Sequence, residues 1–397
     1  MKNIKTGYLL TINSGSSSLK FSLFERITLA LELSGTICER RPGDPHMTVK
    51  DGKGKVIISH AVRNLTLANA EKEVISFLHD YRTKYPVTAI GHRVVQGGPD
   101  HRQCELIGPA LLKELRRLEY LAPNHLPNEI ALIKTFGEAF SDAVQVACFD
   151  TFFHRELPAY ASTYALPAEY REKGLMRYGF HGLSYESIMD QLCSKHKKIN
   201  KKKIIIAHLG SGASMAAVKD GRGADTTMGV SPLGGLVMST RPGDLDPGVI
   251  LFLLRQHQLT VPQLDDLLSH SSGLKALAGT GDMAVLTGCS PDNTEAQAAI
   301  DLFCYQARKQ VGALAAAIGG LDVLVFTGGI GENSPVVRAQ ICEHLGFLGI
   351  KIDRHKNNKG NGRISVRGSG VRVMVLAADE AAMIARHTRQ LTEETHP

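Results

Sequence analysis

No C-x-x-C pair occurs in the 397 residues, and the seven cysteines, Cys38, Cys104, Cys148, Cys193, Cys289, Cys304 and Cys342, are scattered and odd in number. Such spacing argues for reduced thiols and against a disulfide framework or a zinc site. No apolar run reaches the length needed to cross a bilayer, and Tyr8–Ile12 is too short for the core of a signal peptide, so a cytoplasmic protein with no membrane partner is expected. Long runs of one charge are also missing. The formal charge is +7, but the basic residues are dispersed apart from Lys197–Lys203, which precedes an apolar strand and reads as a solvated loop. Nucleic acid is therefore not an expected partner, and anionic small substrates are reason enough for a basic cleft. With 43% hydrophobic and 21% charged residues, the composition is that of a globular chain, long enough for two domains or one large α/β unit.

What is present centres on Tyr8–Glu25, YLLTINSGSSSLKFSLFE. Tyr8–Ile12 has the apolar run of a buried strand. Leu19, Phe21 and Leu23 alternate with Lys20, Ser22 and Phe24 in a second, and Gly15 permits the tight turn between them. The tip Ser14-Gly15-Ser16-Ser17-Ser18 offers backbone N–H groups, hydroxyls and the nearby Lys20 ammonium to an anion such as phosphate. A P-loop is excluded, because the second glycine before the lysine, the hydroxyl residue after it and the following helix are all missing. Taken alone, such a turn reads equally well as an ordinary hydroxyl-rich connection. But it recurs: Lys203–Val218, KIIIAHLGSGASMAAV, again runs strand, Gly/Ser tip, strand, about half the chain further on. A duplication carrying two phosphate-binding hairpins is the economical account.

Between and after these hairpins the pattern alternates. Leu29–Val56 reads as strands joined at Gly43–Pro45 and Gly52–Gly54, Asn69–Tyr81 as a helix, and Thr88–Val95 as a strand. Pro109–Leu121 and Pro127–Phe140 read as helices, and Ala143–Phe149 as a buried strand delivering Asp150 at its carboxyl end, where open α/β sheets place ligands. Pro158–Met176 is loop-rich. Then come a helix over Tyr185–Cys193, strands over Ile204–Leu209 and Met215–Val218, and helices around Gly248–Gln256 and Thr294–Ile318. Leu321–Thr327 is a strand running into Gly328-Gly329-Ile330-Gly331, with Ser334 as N-cap and Pro335 at the first helical position. Lys356–Gly362 reads as a surface loop and Val371–Leu376 as a strand, with Asp379 and Glu380 opening a last helix.

Eight motifs in order span nearly the whole chain: NSGSSSLKFS from Asn13, GHRVVQGG from Gly91, LAPNH from Leu121, FDTFFH from Phe149, RYGFHGLS from Arg177, AHLGSGAS from Ala207, TRPGDLDP from Thr240 and FTGGIGENS from Phe326. On these the sequence resembles the acetate and propionate kinase branch of the actin-like phosphotransferases. The resemblance implies an α/β fold of two duplicated actin-like (ribonuclease H-like) domains with an interdomain active-site cleft. Residues 1–155 would form the N-terminal domain, completed by a C-terminal helix at about 380–397, and 156–379 the nucleotide-binding domain. It implies reversible transfer of the ATP γ-phosphoryl group to acetate by direct in-line displacement, giving acetyl phosphate and ADP, in a homodimer whose partners are the acid, the acyl phosphate and the nucleotide. Propionate or another short-chain carboxylate is the alternative acceptor, and a catalytically weak nucleotide-binding regulatory module the second alternative.

Carried over motif by motif, Arg93 meets the acyl carboxylate and the moving phosphoryl group, Arg241 is its partner, His181 stabilises the transition state, and Asp150 orients through Arg93 or a metal-bound water. Val95, Asn124, Phe180 and Pro232 stand in the acyl pocket. Lys20, His208, Leu209, Gly210, Ser211, Gly212, Asp282, Gly329, Ile330, Gly331, Glu332 and Asn333 stand around the nucleotide. Asn13 and Glu380 match the ligands of Mg²⁺, for which Mn²⁺ can substitute. The chain departs from the family pattern at Asn124 for Leu, Ala284 for Arg, Ser211 for Asn, Gln96 for His and Pro99 for Glu. A polar side chain where an alkyl tail would pack implies an acyl preference drifted toward a more polar acid. Loss of a planar cation at Ala284 implies relaxed base selectivity.

Overall fold

The computed structural model describes residues 7–15, 18–39, 43–63, 66–290 and 292–394. Ser16 and Ser17 of the first hairpin tip lie outside that set. The chain divides into two compact units, Met1–Phe152 with Asp379–Pro397, and Phe153–Ala378.

In the first unit, β1 (Tyr8–Ser14) and β2 (Ser18–Glu25) form the antiparallel hairpin that the Gly/Ser tip leads one to expect, with Gly15 N donating to Ser18 O at 2.8 Å. The sheet continues antiparallel through β3 (Leu31–Glu39), β4 (Pro45–Asp51) and β5 (Val56–Ala61). On the other side of β1 lie β6 (Val87–Val94) and β8 (Val144–Phe149), both parallel to it, with the short β7 (Glu105–Leu106) at the edge. Parallel neighbours need long crossovers. These are the helix Leu67–Asp80 before β6, and Pro109–Arg117 with Leu126–Ala139 before β8.

One face of this sheet packs Leu10, Ile12 and Phe21 against Val74, Phe77 and Phe136 of those helices. The other is covered by the last helix, Glu380–Glu394, whose Ala385 packs with Leu9, Phe24 and Ala89. Because both faces are covered, the expected alternation in β2 does not appear as exposure. Ser22 and Phe24 are buried beside Phe21 and Leu23, and Lys20 alone of the polar-face residues is exposed. Contact with the last helix is close at Gly91, where an added Cβ would lie 2.2 Å from Thr388 Oγ1 and 2.4 Å from Ile384 Cγ2.

The second unit holds β9 (Ile204–Leu209), β10 (Ala213–Lys219), β11 (Arg222–Thr226), β12 (Val323–Thr327), β13 (Gly362–Arg363) and β14 (Arg372–Val375), in the order β11-β10-β9-β12-β14-β13. β9 to β11 are antiparallel, and β12 and β14 run parallel to β9. The core orders β3-β2-β1-β6-β8 and β11-β10-β9-β12-β14 are thus one topology used twice. What recurs is a whole five-strand layer, not merely a hairpin. Ile204, Ile206, Ala216, Val218 and Val325 pack on Tyr185, Ile188 and Leu192 of the helix Gly182–Lys195, and the helix Thr294–Ala317 also packs on β9 and β10.

Several stretches differ from expectation. Lys356–Gly362 is no loop: Arg354–Lys359 is helical, capped by Asp353 Oδ1 on Lys356 N and closed by Gly360 at φ 61°. A helix that buries only Asn357 leaves no apolar periodicity to detect. Helices Val261–His270, Gly273–Ala278 and Met283–Thr287 likewise escaped pattern reading. Pro109–Leu121 ends its α-helix at Arg117 and finishes as a 3-10 turn, Glu119–Leu121. Pro158–Met176 carries two short helices, Ala159–Ser162 and Ala168–Glu172. Among the described residues no helix is long and apolar enough to cross a membrane.

The Gly91 contact sets a direct test. Gly91→Ala is expected to destabilise by about 1–3 kcal/mol through overpacking. Gly312→Ala, inside the helix Thr294–Ala317 where an added Cβ would meet no other described residue within 4 Å beyond the helix's own adjacent backbone, should stabilise by up to about 1 kcal/mol. Urea melts of both variants check this; equal midpoints would show that the last helix does not sit on β6.

Candidate active site

The carboxyl ends of the parallel strands β1, β6 and β8 gather the first unit's polar side chains. Arg93 stands near the end of β6 and Asp150 just past β8, its N–H donating to Val94 O at 2.8 Å. Arg93 Nη2 and Nε donate to Asp150 Oδ2 at 2.6 and 3.2 Å. Arg93 Nη1 donates to Asn13 Oδ1 at 3.4 Å and Ser14 O at 3.3 Å, while Asn13 Nδ2 donates to Glu380 Oε2 at 2.7 Å. Lys20 lies directly across the hairpin from Asn13 and is exposed. Burial works against the Arg93 charge, but Asp150, Glu380 and Glu129 more than offset it, and the guanidinium is pushed above its ordinary value. Asp150 and Glu380 offset part of the Arg93 charge. A divalent cation would add to the attraction for an incoming anion. Asn13 and Glu380 each carry a side-chain oxygen and are joined through the Asn13 amide N–H, while Asn13 Oδ1 accepts from Arg93; their oxygens suit an ion that takes one or two protein ligands and completes its shell with phosphate and water. Among the described residues no group of three His, Cys, Asp or Glu forms a protein cage for a metal.

Sequence reading missed Glu129. It projects from the helix Leu126–Ala139, is 3% exposed, and accepts from Val95 N at 3.0 Å through Oε2 while Oε1 has no hydrogen-bond partner among the described residues. Burial pushes its carboxyl up to about 7, against the pull of Arg93 and the Val95 N–H. No motif signals it: a Glu in the first turn of a helix reads as a solvated charge favoured by the helix dipole. His92 is also buried, donates from Nε2 to Gln145 Oε1 at 2.7 Å, and is pulled down to about 4 by burial, so it stays neutral. Gln96 is buried and accepts from Gly98 N, whereas Asn124 and Pro99 are exposed.

The second unit gathers its residues round the β9–β10 tip, where Gly210 N donates to Gly212 O at 3.1 Å. His181 Nε2 and Arg241 Nη1 would lie 3.3 and 3.8 Å from a Cβ on Gly212; His208 Nε2 and Gly329 N would lie 3.8 and 3.9 Å from one on Gly210. Arg241 Nη1 donates to Pro232 O at 3.2 Å, and Phe180, buried, accepts at its carbonyl from His154 Nε2 at 3.1 Å. Ser239 links the tip to Asp282: its N–H donates to Ser211 O, and its hydroxyl to the carbonyl of Gly281. Asp282 is exposed and caps the helix Met283–Thr287 through Ala284 N.

Gly328-Gly329-Ile330-Gly331-Glu332-Asn333 is itself a helical turn and not an open loop. Gly328, at φ 78°, would bring a Cβ within 2.7 Å of Leu209 O, so only glycine lets this turn meet β9. Glu332 folds its carboxylate back on Gly328 N at 2.9 Å and Thr327 Oγ1 at 3.2 Å, and Asn333 Nδ2 donates to Gly329 O. Behind the turn lies Arg338, fully buried, donating to the carbonyls of Gly331 and Glu332 at 2.9 Å each and to Asn357 Oδ1 at 2.8 Å. This residue too was invisible to motif reading.

The family model described as the acetokinase family matches residues 8–386. The chain belongs to the acetokinase family. Curated family relatives include an acetate kinase of Rhizobium meliloti, 41% identical over 96% of this chain and 98% of the relative, and one of Rhodopseudomonas palustris (strain TIE-1), 39% identical over 97% and 98%. Among solved structures of the family, a propionate kinase from Francisella tularensis subsp. tularensis SCHU S4 aligns with TM-score 0.88 at 33% identity, covering 97% of this chain and 99% of that one. Porphyromonas gingivalis acetate kinase aligns at 0.84 and 33%, covering 97% and 100%. The twice-used sheet order is accordingly the actin-like fold of the acetokinase family, and nucleotide is its co-substrate.

Glu129 makes a pH-dependent stability prediction. Its carboxyl titrates near 4.5 when unfolded and about 7 when folded, so the folded state binds the proton more tightly. The stabilising contribution is complete below about 4.5 and is lost as pH rises through about 7. Glu129→Gln keeps an acceptor for Val95 N without the charge. Relative to wild type it should gain up to about 3 kcal/mol between pH 4.5 and 8. Urea melts at the two pH values check this, and a pH-independent difference would show that folding leaves the Glu129 carboxyl unshifted.

Proposed function

We propose that the chain transfers the γ-phosphoryl group of ATP to acetate, reversibly, by direct in-line displacement. The observation that carries this reading is a pair of guanidinium groups, Arg93 and Arg241, each set at the Gly/Ser hairpin end of a sheet of the same topology. Joining a carboxylate to a nucleoside triphosphate brings two anions together, and the transition state spreads charge over the oxygens of the moving group. Arg93, oriented by Asp150, meets the acid's carboxylate, and Val95, Asn124, Phe180 and Pro232 meet the rest of the acid. Arg241 and His181 donate to the transferred group. Lys20 and His208, Leu209, Gly210, Ser211 and Gly212 serve the phosphates; Asp282 and Gly329, Ile330, Gly331, Glu332 and Asn333 serve the nucleoside. Mg²⁺ held at Asn13 and Glu380 would neutralise phosphate charge. The reaction belongs in the cytoplasm, in keeping with seven free cysteines.

Initial rates of acyl phosphate formation, trapped with hydroxylamine, test the reading with acetate, propionate, butyrate, glycolate and lactate. Saturable turnover of acetate is expected, falling about 10²–10³-fold in kcat for Arg93→Ala, Arg241→Ala or His181→Ala. Turnover of glycolate or lactate in preference would move the acceptor to a more polar acid, in line with Asn124. Nucleotide binding without turnover of any acid would replace the kinase by a regulatory module. ATP and GTP compared in the same assay read the effect of Ala284.

A second copy of the chain is the proposed macromolecular partner. The helix Pro247–Gln256 buries none of its residues yet carries Val249, Leu251 and Phe252, 41%, 46% and 54% exposed. An apolar helix face of this kind suits an interface between copies. Light scattering should give twice the chain mass, and Phe252→Glu should shift it toward the monomer; a monomeric wild type would end the proposal.

A further inference from the structure

His181 holds a backbone conformation that a side chain disfavours. At φ 58° and ψ 28° it is left-handed, immediately before the helix Gly182–Lys195. Contacts with Ser214 and His208 hold its ring there. Nδ1 is 2.8 Å from Ser214 Oγ, and the ring stacks on His208 at 4.3 Å between centroids and 20° between planes. His208 is tied in turn through Nδ1 to Ser184 Oγ at 2.8 Å. The hydroxyl of Tyr185 bonds to Ser214 Oγ from the other side, and both Ser214 and Tyr185 are 0% exposed. The Tyr185 ring packs edge-on against His154 at 5.6 Å, which fixes where its hydroxyl can reach.

The polarity of this chain follows from the groups. A phenol O–H is a stronger donor than an alcohol, and an imidazole lone pair is a better acceptor than a phenol oxygen. Tyr185 Oη–H therefore donates to Ser214 Oγ, and Ser214 Oγ–H donates to His181 Nδ1. In a neutral ring the proton then resides on Nε2, the atom that faces Gly212 together with Arg241 Nη1. Resting on the reading of His181 as a donor to the transferred phosphoryl group, we propose that Tyr185 and Ser214 are positioning residues, a hydroxyl relay that fixes His181 as the Nε2–H tautomer. The hydroxyl of Ser214 is the essential link, because it touches both partners. Ser214 closes the motif AHLGSGAS and Tyr185 follows RYGFHGLS, but only the register Ser214↔His208 in the β9–β10 hairpin and the helix turn at Tyr185 bring their hydroxyls together.

The test has a spectroscopic arm and a kinetic arm. In protein labelled with ¹⁵N-histidine, the His181 resonances, identified by their loss in His181→Asn, should show the Nε2–H tautomer in wild type and in Ser214→Thr. In Ser214→Ala they should show a tautomer mixture. In the kinetic arm, Tyr185→Phe should lower kcat about tenfold and Ser214→Ala further. KM for acid and nucleotide should stay within twofold, and Ser214→Thr should recover most of the rate. A wild-type Nδ1–H tautomer would overturn the relay, as would Ser214→Ala with unchanged tautomer and kcat. Should wild type form no acyl phosphate, the kinase reading falls while the tautomer still decides the relay.

Discussion

The guanidinium of Arg93 lies where parallel strands end, and a charge taken that far out of water persists only with carboxylates and carbonyls in reach. Asp150 arrives from the neighbouring strand, Asn13 and the Ser14 carbonyl from the hairpin, and Glu380 from the far end of the chain. The last helix is thereby bound to the first unit for two reasons. It covers the second face of the sheet, and it brings the carboxylate that completes the Arg93–Asn13 set. Gly91, two residues before Arg93, is where the backbone makes room for it.

Arg338 shows the opposite solution to the same problem. Its buried guanidinium has carbonyl oxygens as partners, and burial pulls its affinity for the proton below the ordinary value. The carbonyls of Gly331 and Glu332 close the turn Gly328–Asn333, where a helix end carries partial negative charge. A cation there braces the turn from behind, while Glu332 caps its front through Gly328 N. The result is a glycine-rich turn held by hydrogen bonds from both sides.

Much of this was legible in the residues. Strand, tip and strand over Tyr8–Glu25 and Lys203–Val218 followed from apolar runs broken by Gly and Ser, and the capping of Ser334 followed from Pro335 beside it. Arg93, Asp150, His181 and Arg241 stood out because motifs surround them. Glu129 and Arg338 did not, since a lone Glu or Arg inside a helix has the same local pattern whether it is a solvated residue or a buried polar partner; Ser214, the last residue of AHLGSGAS, and Tyr185, just after RYGFHGLS, sit in or beside motifs that do not say what their hydroxyls meet. The helix Arg354–Lys359 stayed hidden for a related reason: its polar sequence stabilises it through a cap and one buried Asn, not through an apolar stripe.

By itself the sequence determined the elements whose cause is local, the hairpins, the caps and the order of motifs that mark the family, because turn chemistry and hydrophobic period act over a few residues. Tertiary structure decided which side chains meet and in what charge state. Burial raises Glu129 and lowers His92 only once helix and sheet have closed over them, and the proton on His181, at the start of a helix, depends on a hydroxyl borne by β10. Those are long-range electrostatic and hydrogen-bond consequences of packing, and no local pattern encodes them.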